Sequence, residues 1–488
     1  MSASRRTLTA AALLATYMQG VNISLPNAAL PHMQGTLSMA DDEIGWIFTS
    51  YIAASMVILP MTRWLAGRFG RKAVFQASLV VFVIGLVLDT LATTSPQLIV
   101  ARVIQGAASG PLGPLSMAIM LDLLPPEKHA RAGIASTAFS LLGISSGPAV
   151  GGWLADYHGW HSIFYVSLPL AGFIFLAVTL WLPEKKPDQA PSFDFFGFAA
   201  LSLGVIGLQM MLDRGERLEW FASPEILAEA IAAGLGFYLF IVHVLTAERH
   251  FADKALFRDR NFVLSTIMIF AAGFVLLPTL ALTSPMLEEL YGYPVDTTGY
   301  MAIPRGVALV GMLVLSGRMS ARLDTRVTVL AGMALVIYAN WRMLGYSPQM
   351  DWRAVVTAGL LQGAGLGILL PALGKAAFAS LDRAFHPEGT ALFSLSRLYG
   401  STIGISVVQI FFYDNTQAVH LALAKNLAPY RAAARASASA GGAALAQLND
   451  AVTGQAATIA IIDQFKILML VLLVASPLVL FLRKPRRL

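Results

Sequence analysis

Apolar runs separated by short polar breaks follow one another along the whole chain. A run of about 20 apolar residues is long enough to cross the hydrocarbon layer of a bilayer as a helix. The pattern predicts fourteen such helices, near residues 7–30, 44–62, 73–92, 97–124, 132–154, 162–182, 195–212, 226–247, 263–285, 297–317, 327–346, 353–380, 389–413 and 464–482. We therefore expect an all-α polytopic membrane protein.

The composition excludes several other classes of protein. The sequence of 488 residues is 56% hydrophobic and only 13% charged, which is too apolar for a soluble core with a polar surface. Its formal net charge of +6 would suit a nucleic-acid partner, but the basic residues lie in short loops beside the apolar runs, where they orient a chain in a membrane. No cysteine is present, so disulfides and thiolate metal sites are excluded, and we expect neither a metal nor a cofactor.

Basic residues are unevenly divided between alternate connections of the predicted helices. One set of connections holds about 22 lysines and arginines, and the other holds about 7. Cytoplasmic loops carry such an excess. Both termini are therefore expected in the cytoplasm, which requires an even number of spans.

The sequence repeats itself between its two halves. IQGAASGPLGPL around Gln105 matches LQGAGLGILLPA around Gln362 at a shift of 257 residues, and LAGRFGRK matches MSARLDTR at a shift of 254. Repeats in the same order and orientation indicate two six-helix halves related by an axis along the membrane normal. The predicted units are an N-terminal six-helix bundle (1–183), a two-helix insertion with flanking loops (184–262) and a C-terminal six-helix bundle (263–488) with an extracytoplasmic loop at about 414–462.

A glycine-rich stretch, GISSGPAVGG, lies inside the fifth predicted helix. Gly143, Gly147 and Gly151 are four residues apart and share one helix face, so a neighbouring helix can approach at backbone distance. Pro148 frees a carbonyl group and bends the helix. With Gly152, these residues are a candidate conformational motif as well as a tight helix contact.

Five stretches carry a resemblance to a known family. GISSGPAVGGWLAD resembles the fifth-span antiporter motif of the major facilitator superfamily, RWLAGRFGRK its loop motif between spans two and three, and IVARVIQGAASG its fourth-span motif. MLDRGERLEWFASPEI and SRLYGSTIGIS are similar to stretches of its fourteen-span drug/proton antiporter branch, of EmrB/QacA type. The resemblance implies the major facilitator fold, with two six-helix bundles and two inserted helices. It also implies a bacterial inner-membrane transporter that uses the proton gradient to export amphipathic or lipophilic molecules by alternating access.

The resemblance assigns a cytoplasmic gate to the loop motif. The gate residues are Arg68, Gly70 and Arg71, and Arg71 is expected to pair with Asp122 at the cytoplasmic end of span four. The chain departs from the family pattern at Gly67, where an aspartate is usual.

The first span departs from the family where a proton carrier is usual. VNISLPNAALP keeps Asn27 but has Asn22 at the place of the acidic residue. An amide does not titrate. Proton coupling then needs another group, for which Asp89 and Asp463 are the nearest candidates, or a proton carried on the substrate.

Polar residues inside the predicted spans are candidates for the substrate or proton pathway, which this architecture places between the halves near the bilayer midplane. An arginine inside a span is costly and usually faces a partner or a wet cavity. Snorkelling to the interface and hydrogen bonds between helices are the alternatives. Surplus positive charge in a low-dielectric cavity attracts anions, so an anionic or neutral amphiphile is the expected cargo. The candidates are Asn22, Asn27, Tyr51, Arg102, Gln105, Arg305, Gln362 and Arg397.

Other functions remain as alternatives. A membrane-embedded transferase is disfavoured because no H-E-x-x-H motif occurs and the histidines do not cluster, so no enzymatic activity is expected. A uniporter, an importer or a sensor on the same fold is also open. The alanine-rich connection at 414–460 is either a solvent-exposed hairpin or a docking surface for a periplasmic adaptor protein.

Overall fold

A computed structural model describes residues 3–39, 43–125, 128–184, 193–247, 254–382, 385–426 and 442–483. Throughout these ranges the regular elements are helices, and no strand is present. Eleven helical stretches within them are long and apolar enough to cross a membrane. The chain is an all-helical, multi-pass membrane protein.

Nine α-helices make up the first part of the described chain. A 3₁₀ turn at Leu25–Ala29 carries the first helix into the second, since Pro26 has no backbone N–H to donate to an α-helical ladder. The helices are α1 (Ala3–Ser24), α2 (Leu30–Leu37), α3 (Trp46–Ile58), α4 (Thr62–Phe69), α5 (Arg71–Leu91), α6 (Ser95–Ser109), α7 (Leu112–Leu123), α8 (His129–His158) and α9 (Ser167–Trp181).

Nine more α-helices follow in the described ranges. The side chains of Asp194, Asp259 and Asp324 each accept a backbone N–H bond at the start of a helix, which is the usual role of an N-cap aspartate. The helices are α10 (Phe195–Arg214), α11 (Pro224–Thr246), α12 (Lys254–Arg258), α13 (Arg260–Pro285), α14 (Val295–Arg322), α15 (Thr325–Met343), α16 (Trp352–Phe378), α17 (His386–Asn426) and α18 (Gly442–Ala475).

Three of the fourteen predicted spans are not among the eleven. Segment 44–62 contains α3, which has 13 residues and ends before a 3₁₀ turn at Pro60. Segment 97–124 is divided between α6 and α7 at Gly110 and Pro111. Segment 327–346 is occupied by α15, which has 19 residues. Helices are therefore present at all three places, and the count of fourteen spans stays a prediction.

The helices pack in two groups that meet along two seams. In the first group α1 packs against α7, α8 and α9, and α6 packs against α3 and α5. In the second, α16 contacts α13, α14 and α15, while α18 contacts α13, α15 and α17. The seams are formed by α8 with α14 and by α3 with α17, and the pair α10 and α11 touches both α3 and α17. The exact division of the chain at 183 and 262 stays a prediction.

The contact between α3 and α6 recurs between α14 and α16. A Cβ atom added to Gly106 would collide with the backbone oxygen of Tyr51, and one added to Gly363 would collide with the backbone oxygen of Arg305. The glycines are 257 residues apart, and Tyr51 and Arg305 are 254 apart. These are the two shifts of the sequence repeat. Arg305 therefore occupies in the second group the place that Tyr51 has in the first.

The contact between α1 and α8 recurs between α13 and α17 in the same way. Gly20 lies against the backbone oxygen of Ser140, and Gly273 lies against that of Arg397. Helices come this close only where no side chain separates them. Both groups are thus built around the same pairs of closely packed helices.

Candidate functional site

Arg102 is fully buried on α6, at the centre of the first group of helices. Its Nε donates to the backbone oxygen of Ile47 at 3.1 Å, and its Nη2 donates to that of Asn22 at 2.9 Å. The guanidinium carbon lies 4.4 Å from the centre of the Tyr51 ring. The arginine therefore points into the protein and is held by α1, α3 and an aromatic face, which excludes snorkelling for this side chain.

Two amides complete the hydrogen bonding around Arg102. Gln105 accepts from Arg102 Nη1 and donates to Asn22 Oδ1 at 3.1 Å. Asn22 in turn donates from Nδ2 to Ser167 Oγ at 2.7 Å. The sequence-predicted residues Asn22, Tyr51, Arg102 and Gln105 are thus brought together in one network, which we call the N-terminal cluster. The Tyr51 hydroxyl is buried without a partner, whereas each nitrogen of the Arg102 guanidinium group donates a hydrogen bond, which holds the arginine firmly in place.

An acidic residue, Asp89, lies near this network. It lies on α5, has no exposed surface, and both of its carboxylate oxygens lack a hydrogen-bond partner. Gly85, one turn earlier on α5, packs against Gln105, so Asp89 lies near the level of Arg102. The two charges are close enough to interact electrostatically without forming an ion pair.

The second group holds a different polar centre. Gln362 Nε2 donates to Thr279 Oγ1 at 3.0 Å, and Arg305 Nη2 donates to the backbone oxygen of Leu276 at 2.8 Å. Arg305 Nε is buried and has no partner. A small cavity, which we call the C-terminal cavity, lies beside these groups. Its lining residues are Thr279, Leu280, Thr283, Ser284, Leu287, Thr298, Met301, Ala302, Arg305, Met343, Tyr346, Val355 and Gly359.

Asn27 connects the two groups of helices. Its Nδ2 donates to the backbone oxygen of Leu280 at 2.8 Å and to Ser284 Oγ at 3.2 Å, both on α13. Beside this contact lies a second, smaller cavity with an apolar surface. Residues of both groups line it: Ile23, Ser24, Asn27, Phe48, Leu277, Leu280, Ala281 and Ile405.

The glycine-rich stretch of α8 lies between α1 and α14. Added Cβ atoms at Gly143 and Gly147 would collide with α1, one at Gly151 would collide with the 3₁₀ turn that follows α1, and one at Gly152 would lie 2.8 Å from the backbone oxygen of Val295 on α14. Pro148 lies inside a helix that continues for 30 residues. The stretch therefore allows close packing both within the first group and across the seam with α14.

The loop motif contributes Arg71, at the start of α5, to a charged pair with Asp122, near the end of α7. Arg71 Nη1 lies 2.8 Å from Asp122 Oδ2, and both side chains are more than 40% exposed. Gly70 has a φ of +86°, a backbone conformation that favours glycine. Arg68 is exposed and lies outside this pair.

Arg397, on α17, is half-buried and belongs to neither polar centre among the described hydrogen bonds.

A third polar cluster was not predicted from the sequence. Gln209 Nε2 on α10 donates to Asp213 Oδ1 at 2.9 Å and to Ser406 Oγ on α17 at 2.8 Å, and Ser406 also donates to Asp213. The sequence pattern assigned Asp213 to a loop. A glutamine and an aspartate four residues apart on an apolar helix were the available signal, since such residues share a face.

Closely packed membrane helices in two repeated groups, with buried polar centres and a cavity where the groups meet, define a polytopic membrane transporter. A model of the Major Facilitator Superfamily matches residues 12–405. The chain belongs to this superfamily. Among the described residues no group of histidine, aspartate and glutamate side chains could hold a metal ion.

Relatives and solved structures agree with this assignment. The chain is 29% identical to the multidrug export protein EmrB of Escherichia coli K12, over 88% of this chain and 84% of that protein. It is 30% identical to the fatty acid resistance protein FarB of Neisseria gonorrhoeae, over 86% of this chain and 83% of that protein. Similar folds occur in an inward-facing bacterial homologue of the lysosomal transporter Spinster (TM-score 0.63, 16% identity, 99% of both chains) and in the nucleoside transporter NupG (TM-score 0.64, 12% identity, 98% of this chain and 100% of that one).

Proposed function

We propose that this protein is a secondary transporter that exports amphipathic small molecules across the bacterial inner membrane and is driven by the proton gradient. The names of its relatives, a multidrug export protein and a fatty acid resistance protein, support export and cargo of this kind. In this proposal the chain has fourteen spans in a six, two, six order and both termini in the cytoplasm. The basic residues of alternate loops support this orientation.

The observation that carries the proposal is the contact between the two groups of helices. They meet across an apolar cavity that is bordered by the Asn27 hydrogen bonds, and along a seam where Gly152 of α8 and Gly299 and Gly306 of α14 let the two helices approach closely. The two hydrogen bonds of Asn27 join neutral groups and contribute about 1 kcal/mol each. They can therefore be replaced by hydrogen bonds to water when the two groups of helices separate. An interface of this kind can open at one end while the other closes, as alternating access requires.

The cargo that fits the charges is anionic or neutral. Arg102 and Arg305 are buried cations, whereas Asp89 is the buried acid near the N-terminal cluster. Charges interact far more strongly in a low-dielectric interior than in water, so a lipophilic cation would be repelled from the C-terminal cavity. An Asn22→Asp variant would add a carboxylate beside Arg102 and is expected to weaken anion transport severalfold.

Asp89 is the proposed proton carrier. Its carboxylate is buried without a hydrogen-bond partner near Arg102, so gain or loss of a proton there changes the charge of the N-terminal cluster. Asp463, the other candidate, accepts a hydrogen bond from Asn415 at 2.8 Å between α17 and α18. Asp463 neither belongs to the N-terminal cluster nor lines the C-terminal cavity.

An adaptor partner is the third part of the proposal. Helix α17 has 41 residues and α18 has 34, or about 60 and 50 Å at 1.5 Å per residue, which exceeds the 30 Å hydrocarbon layer. His420 and Asn449 are hydrogen-bonded at 3.2 Å and join the projecting parts. The tip of the predicted loop, residues 427–441, lies outside the described residues. Two paired helical arms offer a surface for a periplasmic protein.

Transport by purified protein in vesicles tests the proposed function. Dodecanoate, dodecanamide and dodecyltrimethylammonium share one alkyl chain and differ in head-group charge. We expect a pH gradient to drive uptake of dodecanoate into inside-out vesicles, and Asp89→Asn to abolish this gradient-driven component. Absence of transport of all three probes by wild-type protein would contradict the proposal.

A further inference from the structure

The C-terminal cavity holds an unusual set of polar atoms. Arg305 Nε, Tyr346 Oη and Thr298 Oγ1 all lack a hydrogen-bond partner, and all three residues line the cavity. Their exposed fractions are 7%, 4% and 3%. Buried polar groups are normally paired, and an exception needs an explanation such as a ligand or an ordered water.

The internal repeat explains why the second group of helices contains the C-terminal cavity. At the shift of 257 residues, Arg102 of the first group corresponds to Gly359 of the second, and Gly359 lines the cavity. At the shift of 254, Asp89 corresponds to Met343, another lining residue. The positions that hold a large cation and a carboxylate in the first group therefore hold a glycine and a thioether in the second. The arginine of the second group enters instead from the Tyr51 position, as Arg305.

The chemistry of the lining favours an anion. Arg305 and Tyr346 supply N–H and O–H donors, Thr298 supplies a hydroxyl, and no acidic side chain is part of the lining. A tyrosine hydroxyl is protonated at neutral pH, so Tyr346 can donate a hydrogen bond. Glu288 follows the lining residue Leu287 but does not itself line the cavity. The free space accommodates roughly two water molecules, which is close to the size of a carboxylate group.

We propose that the C-terminal cavity is the head-group site for an alkyl carboxylate, with the carboxylate oxygens accepting hydrogen bonds from Arg305 Nε and Tyr346 Oη. This inference rests on the proposed function and locates its cargo. Leu280 lines both this cavity and the apolar cavity between the two groups of helices. The two cavities therefore adjoin at Leu280, and the alkyl chain of a bound carboxylate would extend toward the apolar cavity, which must widen to admit it.

Binding of dodecanoate to the full chain in lipid nanodiscs tests the site. Tyr346→Phe removes one hydroxyl without changing the shape of the side chain, and Arg305→Gln removes the charge. A hydrogen bond to a charged group contributes enough for its loss to weaken binding roughly tenfold to a hundredfold. We expect that loss for dodecanoate in both variants and little change for dodecanamide. Tyr399→Phe is the matched control, since the Tyr399 hydroxyl is also buried without a partner but lies on α17, away from the cavity.

The outcomes separate the site from the function. Unchanged dodecanoate affinity in Tyr346→Phe and Arg305→Gln, or an equal loss for dodecanamide, overturns the head-group site. Wild-type protein that transports dodecanoate while these variants transport it equally well leaves the proposed function intact and refutes the site alone. Failure of wild-type protein to transport any of the three vesicle probes refutes the proposed function itself.

Discussion

The two groups of helices share one packing plan but differ at their centres. In the first group Arg102 fills the interior and is bonded to two backbone oxygens and to Gln105. In the second, Gly359 stands at the corresponding position and a cavity remains. A repeated fold thus supplies one centre that is closed, with a fully hydrogen-bonded arginine, and another that is open, with an arginine that has an unused donor. The closed centre suits a structural and charge-sensing role, and the open centre suits a ligand.

The largest expected effect is the difference in stability between the Arg102→Ala and Arg305→Ala variants. Arg102→Ala leaves three acceptors buried without a donor, at about 1–3 kcal/mol each, so it should lower the free energy of unfolding by several kcal/mol and abolish transport. Arg305→Ala removes one described hydrogen bond and should cost about 1 kcal/mol of stability while it abolishes dodecanoate binding. Unfolding in denaturant and ligand binding measure the two effects. Equal destabilisation by both variants would show that the centres do not differ as described.

Leucine at corresponding glycines tests the shared packing plan. Gly147 lies against α1 and Gly404 lies against α13, so Gly147→Leu and Gly404→Leu should each separate a helix pair. Overpacking costs about 1–3 kcal/mol, and we expect normal membrane insertion with most of the transport rate lost. Gly172→Leu is the control, because an added Cβ there meets nothing within 4 Å. A Gly147→Leu variant of normal abundance and full activity would contradict the need for close packing between α1 and α8.

The smallest expected effect concerns the exposed pair Arg71 and Asp122. Ion pairs exposed to solvent contribute about 0–1 kcal/mol, so Arg71→Ala should change the unfolding free energy by no more than this. A thermal unfolding series at low and high salt provides the measurement. A larger loss that high salt does not reduce would show that the pair is shielded from solvent in the membrane-embedded protein.

Much of the fold follows from local sequence pattern. Apolar runs of membrane length mark the helices, and the matched stretches around Gln105 and Gln362 mark the repeat, because close helix contacts need the same small residues in both groups. The number of spans is harder to predict from the sequence than the positions of the helices. Pro60 and Pro111 interrupt apolar segments, and a sliding pattern of hydrophobicity does not register such breaks.

The polar centres were only partly predictable. Asn22, Arg102 and Gln105 stand out as polar residues in apolar runs, and the structure joins them. Tyr346 and Thr298 do not stand out, since their importance depends on which helices surround a space left by a glycine. Asp213 was missed for another reason: its neighbours in sequence resemble a loop, and its partner Ser406 lies 193 residues away.

A cryo-electron microscopy structure of the full chain in nanodiscs with a brominated dodecanoate tests the central difference between the two groups most directly. The account predicts density for the carboxylate in the C-terminal cavity, within hydrogen-bonding distance of Arg305 and Tyr346, and bromine density toward the apolar cavity beside Asn27. The Arg102 network should keep its present hydrogen bonds. Carboxylate density bonded to Arg102, with the C-terminal cavity occupied only by water, would contradict the account.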